Sequence, residues 1–333
     1  MNKDGLLLLS VMLVAPILSG CGLIYDYDNC PPGYGEGFDV EDDWRLAPSA
    51  TPEGMAYIFF PYGENCCWRF DFPGKKGGDA DLPDGDYNVL TFNDDTSGIL
   101  FDNSESYRDF TFYCRTGALY DGLGGTIDNP LGPPVAANGE KVNICPDMLW
   151  CDAVNTFELY PDGTAVERTQ NSGFSYSDKR LLTMYPRAVV AFYRYSVRNV
   201  KNLESVDRMC ASISGMAASL RPSDMWRSTE PVTLPLKASP ETDCIISGRF
   251  FTYGLPSEPS APNTLSLYIW LTDGRKLCYE FDVTEQARTA HDPMNVEIII
   301  DGLTLPEVEN PKPGGTFDVS VDGWTTIVID IAS

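Results

Sequence analysis

The chain is poor in positive charge. Lys and Arg number 24 against 48 Asp and Glu, which gives a formal net charge of −24. Such a surface repels the phosphates of nucleic acid, so nucleic acid is excluded as a partner. For the same reason an anionic membrane surface would not hold the protein unless a lipid were attached to it. The acidic residues are spread along the chain, which is typical of a solvated surface.

The sequence also has few residues suited to catalysis. Its single histidine, His291, lies in Ala290-His291-Asp292-Pro293, where turn-forming neighbours favour a surface loop over a general base. No Cys-x-x-Cys pair occurs, so a zinc site is not expected. No G-x-S-x-G, H-E-x-x-H, P-loop or Rossmann fingerprint occurs either. We therefore expect a non-catalytic protein without a cofactor, and a hydrolase is the least favoured function.

Long apolar runs are scarce, and the most prominent one lies near the start, from Leu6 to Leu18. A positively flanked run of this kind that ends in small residues is typical of a secretory signal peptide, here residues 1–20. A membrane-spanning helix needs roughly 20 apolar residues, and this run is shorter and contains Pro16. Leu18-Ser19-Gly20-Cys21 resembles the lipobox of bacterial lipoproteins. The resemblance implies that a fatty acid such as palmitate is attached at Cys21, which becomes the first mature residue.

Nine cysteines remain after Cys21, an odd number that leaves at least one thiol unpaired. An exported chain can form disulfides. Cys145 and Cys151 flank a short segment and are the best local candidates, whereas Cys66 and Cys67 would point to opposite faces of a strand. We expect mostly buried free thiols, with at most one or two bridges, among Cys30, Cys66, Cys67, Cys114, Cys145, Cys151, Cys210, Cys244 and Cys278.

Glycine (29) and proline (25) separate short runs in which apolar and polar residues alternate. This pattern predicts an all-β protein made of two tandem antiparallel β-sandwich domains. A polar stretch from Arg168 to Lys179 divides them. We expect a lipidated tether at 21–35, an N-terminal β-sandwich at 36–170 and a C-terminal β-sandwich at 180–333.

Four segments carry more specific predictions. Alternation from Leu265 to Phe281 around Asp273-Gly274 predicts a β-hairpin. Ser214 to Leu220, ahead of Pro222, predicts a short helix, and the Gly- and Pro-rich span from Leu119 to Asn143 predicts a loop excursion. The final predicted strand, Trp324 to Ile331, has one apolar face made of Ile327, Ile329 and Ile331.

One acidic cluster could bind a metal. Asp79, Asp81, Asp84 and Asp86 offer oxygen ligands, the type that Ca²⁺ favours. Their spacing differs from that of an EF-hand loop, and Leu82-Pro83 interrupts it. An acidic loop between strands explains the cluster better, so we expect no metal.

A series of short motifs resembles the fimbrillin-like surface lipoproteins of the Bacteroides type. In the first half these motifs are Ala50 to Met55, Leu82 to Tyr87 and Phe92 to Thr96. In the second half they are Leu271 to Gly274, Phe281 to Thr284, Gly302 to Pro306, Gly314 to Val319 and Gly323-Trp324. The order of the motifs is matched over nearly the whole mature chain. This group includes domains of unknown function and is related to anchor and accessory subunits of type V pili, which are built from two transthyretin-like β-sandwiches.

The resemblance implies a fimbrial (pilus) accessory or anchor subunit with a role in cell adhesion. It would lie at the cell surface, held in the outer membrane through Cys21, with other pilus subunits as its partners. Such subunits assemble by strand addition, in which a strand of one subunit completes the sheet of another. The candidate residues for strand exchange are Trp324, Ile327, Ile329 and Ile331.

Two details bear on the choice between an accessory or anchor subunit and a shaft pilin, and the second of them favours the accessory or anchor subunit. Shaft pilins of the family are cut by an arginine-specific protease in front of the first domain, and Arg45 is the arginine in that region. We expect an anchored member to leave Arg45 uncut. The chain also ends two residues after Ile331, so we expect no spare donor tail.

The alternative function is that of a surface glycan-binding lipoprotein, because tandem β-sandwiches can present aromatic platforms. Alternation favours core packing for most of the six tryptophans that could form one: Trp44, Trp68, Trp150, Trp226, Trp270 and Trp324. A host or glycan ligand therefore remains an open alternative. A glycan binder would bind oligosaccharide as a monomer, whereas a pilus subunit would capture a partner strand.

Replacing Cys21 with Ser tests the lipid anchor, because it removes the thiol that would be acylated. We expect the variant to accumulate as an unacylated precursor, while the wild-type protein incorporates a labelled fatty acid. Metabolic labelling that leaves the wild-type protein without fatty acid would contradict the lipoprotein assignment.

Overall fold

The computed structural model describes residues 37–64, 66–160, 165–169, 173–177, 181–309 and 323–329, with only the backbone path for 166–169 and 173–177. The predicted signal peptide (1–20), Cys21 and the predicted tether (21–35) lie outside the described residues. Within the described ranges no helix is long and apolar enough to cross a membrane.

The described backbone is built almost entirely from strands, which confirms the predicted all-β class. The strands of the first half, in chain order, are β1 (Phe38–Asp42), β2 (Gly54–Pro61), β3 (Trp68–Pro73), β4 (Gly78–Ala80), β5 (Gly85–Asn93), β6 (Ile99–Asp102), β7 (Thr111–Cys114), β8 (Lys141–Val142), β9 (Trp150–Leu159), β10 (Ala165–Thr169), β11 (Gly173–Ser177), β12 (Leu181–Met184) and β13 (Arg187–Ala188).

The second half continues with β14 (Ala191–Lys201), β15 (Val206–Ala217), β16 (Ser219–Arg221), β17 (Trp226–Arg227), β18 (Pro231–Lys237), β19 (Ser239–Thr242), β20 (Ile245–Thr252), β21 (Thr264–Leu271), β22 (Lys276–Asp282), β23 (Asn295–Thr304) and β24 (Trp324–Ile329). One short helix, α1 (Thr284–Arg288), precedes β23, and single 3₁₀ turns occur at Trp44–Leu46, Asp121–Leu123 and Leu203–Ser205.

Two sheets of the first half share a hydrophobic core. The smaller sheet has the order β12-β1-β4, and the larger has the order β11-β10-β9-β5-β2-β3, with β13 also pairing with β9. Met55, Tyr57 and Phe59 on one face of β2 pack there with Phe38 of β1 and Phe157 of β9. Because these side chains come from both sheets, we call this group the first inter-sheet core.

The opposite face of β2 is buried as well. Its Ala56, Ile58 and Phe60 belong to a second group, the shared core, which contains residues of both halves of the chain. Leu220 of β16 and Tyr253 after β20 reach this core from the second half. A separate sheet with the order β17-β16-β7-β6 contributes to it, and here too strands of the two halves pair with each other.

The second half contains its own pair of sheets, with the orders β19-β20-β14-β23 and β24-β22-β21-β15-β18-β8. The predicted hairpin forms β21 and β22, with Gly274 at a φ of 91° in its turn. Its inward side chains, among them Leu267 and Tyr279, pack with those of β14 and β23 in the second inter-sheet core. Most strand pairs are antiparallel, but β1–β12, β8–β18, β14–β23 and β22–β24 are parallel.

The predicted loop excursion from Leu119 to Asn143 covers the outer face of the second half's larger sheet. Leu119 and Tyr120 pack there with Tyr268, Trp270, Cys210 and Cys278, a group that we call the outer aromatic cluster. At Gly122 a Cβ atom would lie only 2.0 Å from the carbonyl oxygen of Leu236, so only glycine fits this approach. The excursion is therefore a packed element that ties the first half to the second.

The helix predicted at Ser214–Leu220 is wrong, because this segment belongs to β15 and β16. The register of β15 against β18 shifts between Ile213 and Met216, and Gly215 has a φ of 74°. This bulge breaks the simple alternation that would have identified a strand. The side chain of Asn263 stabilises it by donating to the carbonyl oxygens of Ser214 and Gly215.

All eight described cysteines are free, and four of them are buried. Cys145 and Cys151, the best local candidates for a bridge, are therefore not joined. Cys145 packs against the second inter-sheet core, with its Sγ 3.6 Å from the carbonyl oxygen of Pro235, whereas Cys151 lies in the shared core. The two residues are close in sequence but belong to different cores.

The stretch predicted to divide the halves, Arg168 to Lys179, lies partly outside the described residues, and its described backbone runs through the hairpin of β10 and β11. The first and second inter-sheet cores each consist almost entirely of residues from one half, whereas the shared core draws on both. The division into domains at 36–170 and 180–333 stays a prediction.

Candidate strand-exchange sites

The last described strand, β24, lies at the edge of the second half's larger sheet. It pairs in parallel with β22 from Lys276–Trp324 to Phe281–Ile329. Its other edge pairs with no strand among the described residues. An unpaired edge presents backbone N–H and C=O groups that can pair with a strand of another chain. Among the described residues, the predicted strand-exchange segment is thus an edge strand that pairs with β22 in the chain's own sheet.

The side chains of β24 hold it on both faces of the sheet. Ile327 and Ile329 are half-buried against the second inter-sheet core. Trp324 lies on the opposite face, in the outer aromatic cluster, with ring centroids 4.5 Å from Trp270, 5.3 Å from Tyr268 and 5.5 Å from Tyr120. Val328 projects into solvent and is 71% exposed. Ile331, the fourth predicted residue, lies outside the described residues.

The first described strand, β1, lies in the interior of its sheet, unlike β24, which lies at an edge. It is the central strand of its sheet, parallel to β12 and antiparallel to β4. Phe38 and Val40 are each 2% exposed, and the Phe38 ring lies 5.3 Å from that of Phe157. A Cβ on Gly77 would lie 1.9 Å from the Val40 carbonyl oxygen, and Gly77 has a φ of 77°. The rest of the chain thus packs closely around β1, and the removal of β1 would expose the first inter-sheet core.

Asp42, the last residue of β1, extends this attachment into the larger sheet. Its Oδ2 accepts a hydrogen bond of 2.6 Å from the Tyr57 hydroxyl of β2. Burial, with a smaller contribution from the nearby Asp152 carboxylate, raises the pKa of Asp42 to about 7, despite the Tyr57 bond that lowers it. Asp152 is itself held by the backbone N–H groups of Tyr185 and Ala153, at 2.8 and 2.9 Å. Two carboxyl groups therefore meet where β1 ends.

Arg45 follows β1 in the 3₁₀ turn Trp44–Leu46 and is exposed. Its guanidinium pairs with Asp43 and lies 5.2 Å from the centre of the Tyr185 ring. Its backbone N–H donates to the Asp43 carboxylate at 3.0 Å. Asp43 thus stabilises the turn that contains Arg45. Cleavage of the chain after Arg45 would separate β1 from the rest of the protein.

The other predicted site residues take no part in these two strands. Asp79, Asp81, Asp84 and Asp86 are exposed around β4 and the start of β5, and the described residues contain no group of acidic, Cys or His side chains that could hold a metal ion. His291 is exposed in the loop between α1 and β23. Most tryptophans are packed at least in part, as predicted, and the most exposed of the six is Trp226, at 37%.

The sequence did not predict the role of Gln286, whose side chain covers part of the edge of β23. Gln286 of α1 accepts a hydrogen bond from the Ile299 N–H at 2.8 Å and donates to the Ile299 carbonyl at 3.0 Å. Ile299 lies in β23, the edge strand next to β14. A side-chain amide that supplies both a donor and an acceptor imitates a neighbouring strand at this position. No sequence pattern marks Gln286, because its partner lies on a different element.

Replacing Asp42 with Asn tests the buried carboxyl at the end of β1. A carboxyl with a higher pKa in the folded than in the unfolded state binds more protons when folded. Its contribution to the free energy of unfolding therefore falls as the pH rises from about 4 to about 7. We expect D42N to match the wild type near pH 4 and to be more stable by about 1–3 kcal/mol at pH 8.

Chemical denaturation at a series of pH values measures this difference. Asp79→Asn is the matched control, since Asp79 lies in the same small sheet but is exposed. A wild-type protein whose stability does not fall between pH 4 and pH 7 relative to D42N would contradict the role assigned to Asp42.

Comparisons with known proteins agree with the all-β fold. The family model of a domain of unknown function, DUF5119, matches residues 23–237. The chain is 26% identical over 360 residues to a Bacteroides ovatus protein named "Putative fimbrium anchoring subunit Fim4B", with 96% of this chain and 94% of that protein covered. A crystal structure described as "a putative adhesin from Bacteroides ovatus" superimposes with a TM-score of 0.59 and 21% identity, covering 88% of this chain and all of that one.

A second solved structure, the fimbrial anchor protein Mfa2 from Porphyromonas gingivalis, has a TM-score of 0.47 and 12% identity over 80% of this chain and 90% of that one. The similarity in sequence to the protein named as a fimbrium anchoring subunit confirms the predicted relation to fimbrillin-like proteins of the Bacteroides type. Because the family model matches well over half of its length, the chain belongs to the DUF5119 family.

Proposed function

We propose that the protein is a non-catalytic accessory or anchor subunit of a fimbrium. It is held in the outer membrane at the cell surface by a lipid on Cys21, and it joins its neighbour by strand addition. The end-to-end similarity to a protein named as a fimbrium anchoring subunit supports this role. The position of β1 is the structural observation that carries it.

An anchor has to transmit force from its membrane attachment to its folded body. The tether after Cys21 leads directly to β1, and β1 is hydrogen-bonded on both sides, to β12 and to β4. Phe38 and Val40 fix it in the first inter-sheet core. Because the chain fills this position with its own strand, the sheet has no opening here for the strand of another subunit. This arrangement suits a subunit that ends a fibre.

Assembly then uses the other end of the described chain. The outer edge of β24 pairs with no described strand, and its Thr325, Thr326 and Val328 side chains are exposed. A strand from a neighbouring subunit could add to this edge while β24 stays in its own sheet. The edge of β23 is less suitable, because Gln286 already occupies the hydrogen-bonding positions of Ile299.

Deleting Trp324 to Ser333 distinguishes an anchor that keeps β24 from a shaft pilin that donates it. If β24 completes its own sandwich, the deletion removes Trp324, Ile327 and Ile329 from two cores. Full burial of such a side chain contributes roughly 1.5–3 kcal/mol, so these half-buried side chains should together contribute about 2–5 kcal/mol. We expect a clearly lower melting temperature or degradation of the truncated protein.

Two single substitutions on the same strand refine this test. Trp324→Ala removes three aromatic contacts and should cost about 1–3 kcal/mol of stability. Val328→Ala alters an exposed side chain and should leave the melting temperature unchanged. A soluble truncation with an unchanged melting temperature that fails only in assembly would contradict the anchor assignment and favour a donated strand.

A further inference from the structure

A polar cavity opens where β2, β5 and β9 meet the loops at one end of their sheet. It measures about 1080 Å³ and is lined by both halves of the chain, since Arg221, Ser223 and Asp224 close one side. Its walls include Tyr62, Asn88, Asn155 and Thr156. None of these residues takes part in the pairing of β1 or β24.

Tyr62 lines this cavity with a ring that is held in place although it is 49% exposed. Its hydroxyl donates to the backbone carbonyl of Asn155 at 2.5 Å and lies 3.1 Å from the Thr156 hydroxyl. The Asn88 side-chain amide donates to the Tyr62 hydroxyl at 3.3 Å. An exposed aromatic ring fixed in this way loses little conformational entropy when another surface stacks on it.

The cavity also contains neutral groups that can donate and accept hydrogen bonds. Tyr107 is only 7% exposed, and its hydroxyl donates to Asn155 Oδ1 at 2.8 Å. This bond leaves the amide nitrogen of Asn155 to donate, and it has no partner among the described residues. Ser106 and Ser223 add hydroxyl groups to the lining.

Two of the charged residues that line the cavity, Arg221 and Asp224, pair with each other. Arg221 binds Asp224 through two hydrogen bonds, at 2.9 and 2.6 Å. Asp109 accepts from the Ser106 hydroxyl at 2.7 Å. Glu64, Glu105 and Arg108 complete the charged lining, so four carboxylates face two arginines. The excess of negative charge, on a chain with a net charge of −24, disfavours an acidic ligand.

We propose that this cavity binds a neutral oligosaccharide. The fixed Tyr62 ring stacks against the apolar face of a sugar, and the side chains of Asn88, Asn155 and Thr156 hydrogen-bond to its hydroxyl groups. Aromatic rings combined with a few well-placed polar groups are the usual composition of a small-molecule site. The polar lining disfavours an apolar ligand. The inference rests on the cavity and does not depend on the anchoring role.

The site differs from the tryptophan platforms considered from the sequence. Trp226 is the most exposed tryptophan, and its ring lies beside the cavity rim, where it is covered by the Arg221 guanidinium at 5.1 Å. A tyrosine, rather than a tryptophan, therefore supplies the free aromatic surface.

An oligosaccharide array tests the proposal with the detergent-purified full chain. The array carries neutral oligosaccharides ending in galactose, glucose, mannose or N-acetylglucosamine, together with their sialylated and uronic acid counterparts. We expect the protein to bind only the neutral oligosaccharides of the array. Titration calorimetry with one of the bound oligosaccharides then measures the dissociation constant. Tyr62→Ala should weaken that binding about tenfold or more, and Tyr62→Phe, which keeps the ring but frees it, should weaken it less.

Tyr160→Ala is the matched control, because Tyr160 is similarly exposed, at 41%, directly after β9, and lies outside the cavity. It should bind like the wild type, and the melting temperatures of all variants should confirm that they are folded. Each of four results would overturn the proposal: no neutral oligosaccharide bound, sialylated members bound equally well, a lysine-rich peptide bound instead, or equal losses for Tyr62→Ala and Tyr160→Ala.

Discussion

The insertion of β1 between β12 and β4 is the constraint on which much of the first half depends. A central strand satisfies hydrogen bonds on both sides, and here it also supplies Phe38 and Val40 to the first inter-sheet core. Gly77 approaches its backbone too closely for any side chain to be present. Asp42 adds a buried carboxyl that the Tyr57 hydroxyl holds. The burial of Asp42 costs stability at neutral pH, so the arrangement is held by packing rather than by this charge.

The first and last described strands, β1 and β24, therefore differ in how much buried surface would be exposed if they left their sheets. Withdrawing β1 would expose fully buried aromatic contacts, whereas β24 is an edge strand with half-buried side chains and one exposed valine. Trp324 attaches β24 to the outer aromatic cluster, which is formed partly by Tyr120 from the first half. The retention of β24 in its own sheet thus depends on the loop excursion, and the two halves act together at the edge where we propose that assembly takes place.

The sequence predicted features that depend on neighbouring residues. The hairpin from Leu265 to Phe281 follows from alternation around Asp273-Gly274, and the strand face containing Ile327 and Ile329 follows from the same period of two. The sequence could not predict the parallel pairing of β24 with β22, because nothing in the alternation of a strand identifies its partner. The Ser214–Leu220 segment lacks the alternation that predicts a strand, because a bulge interrupts it. The cavity around Tyr62, Asn88 and Asn155 was missed because the three residues are far apart in sequence and meet only in the folded sheet.

The central claim is that β1 stays part of the folded subunit, so that the chain remains continuous from the proposed lipid attachment at Cys21 into the folded body. Intact-mass analysis and N-terminal sequencing of the subunit recovered from assembled fimbriae test this most directly. The account predicts a single polypeptide in which residues 37–45 remain joined to the rest of the chain. A subunit that begins at Leu46, with β1 replaced by a strand of another protein, would contradict it.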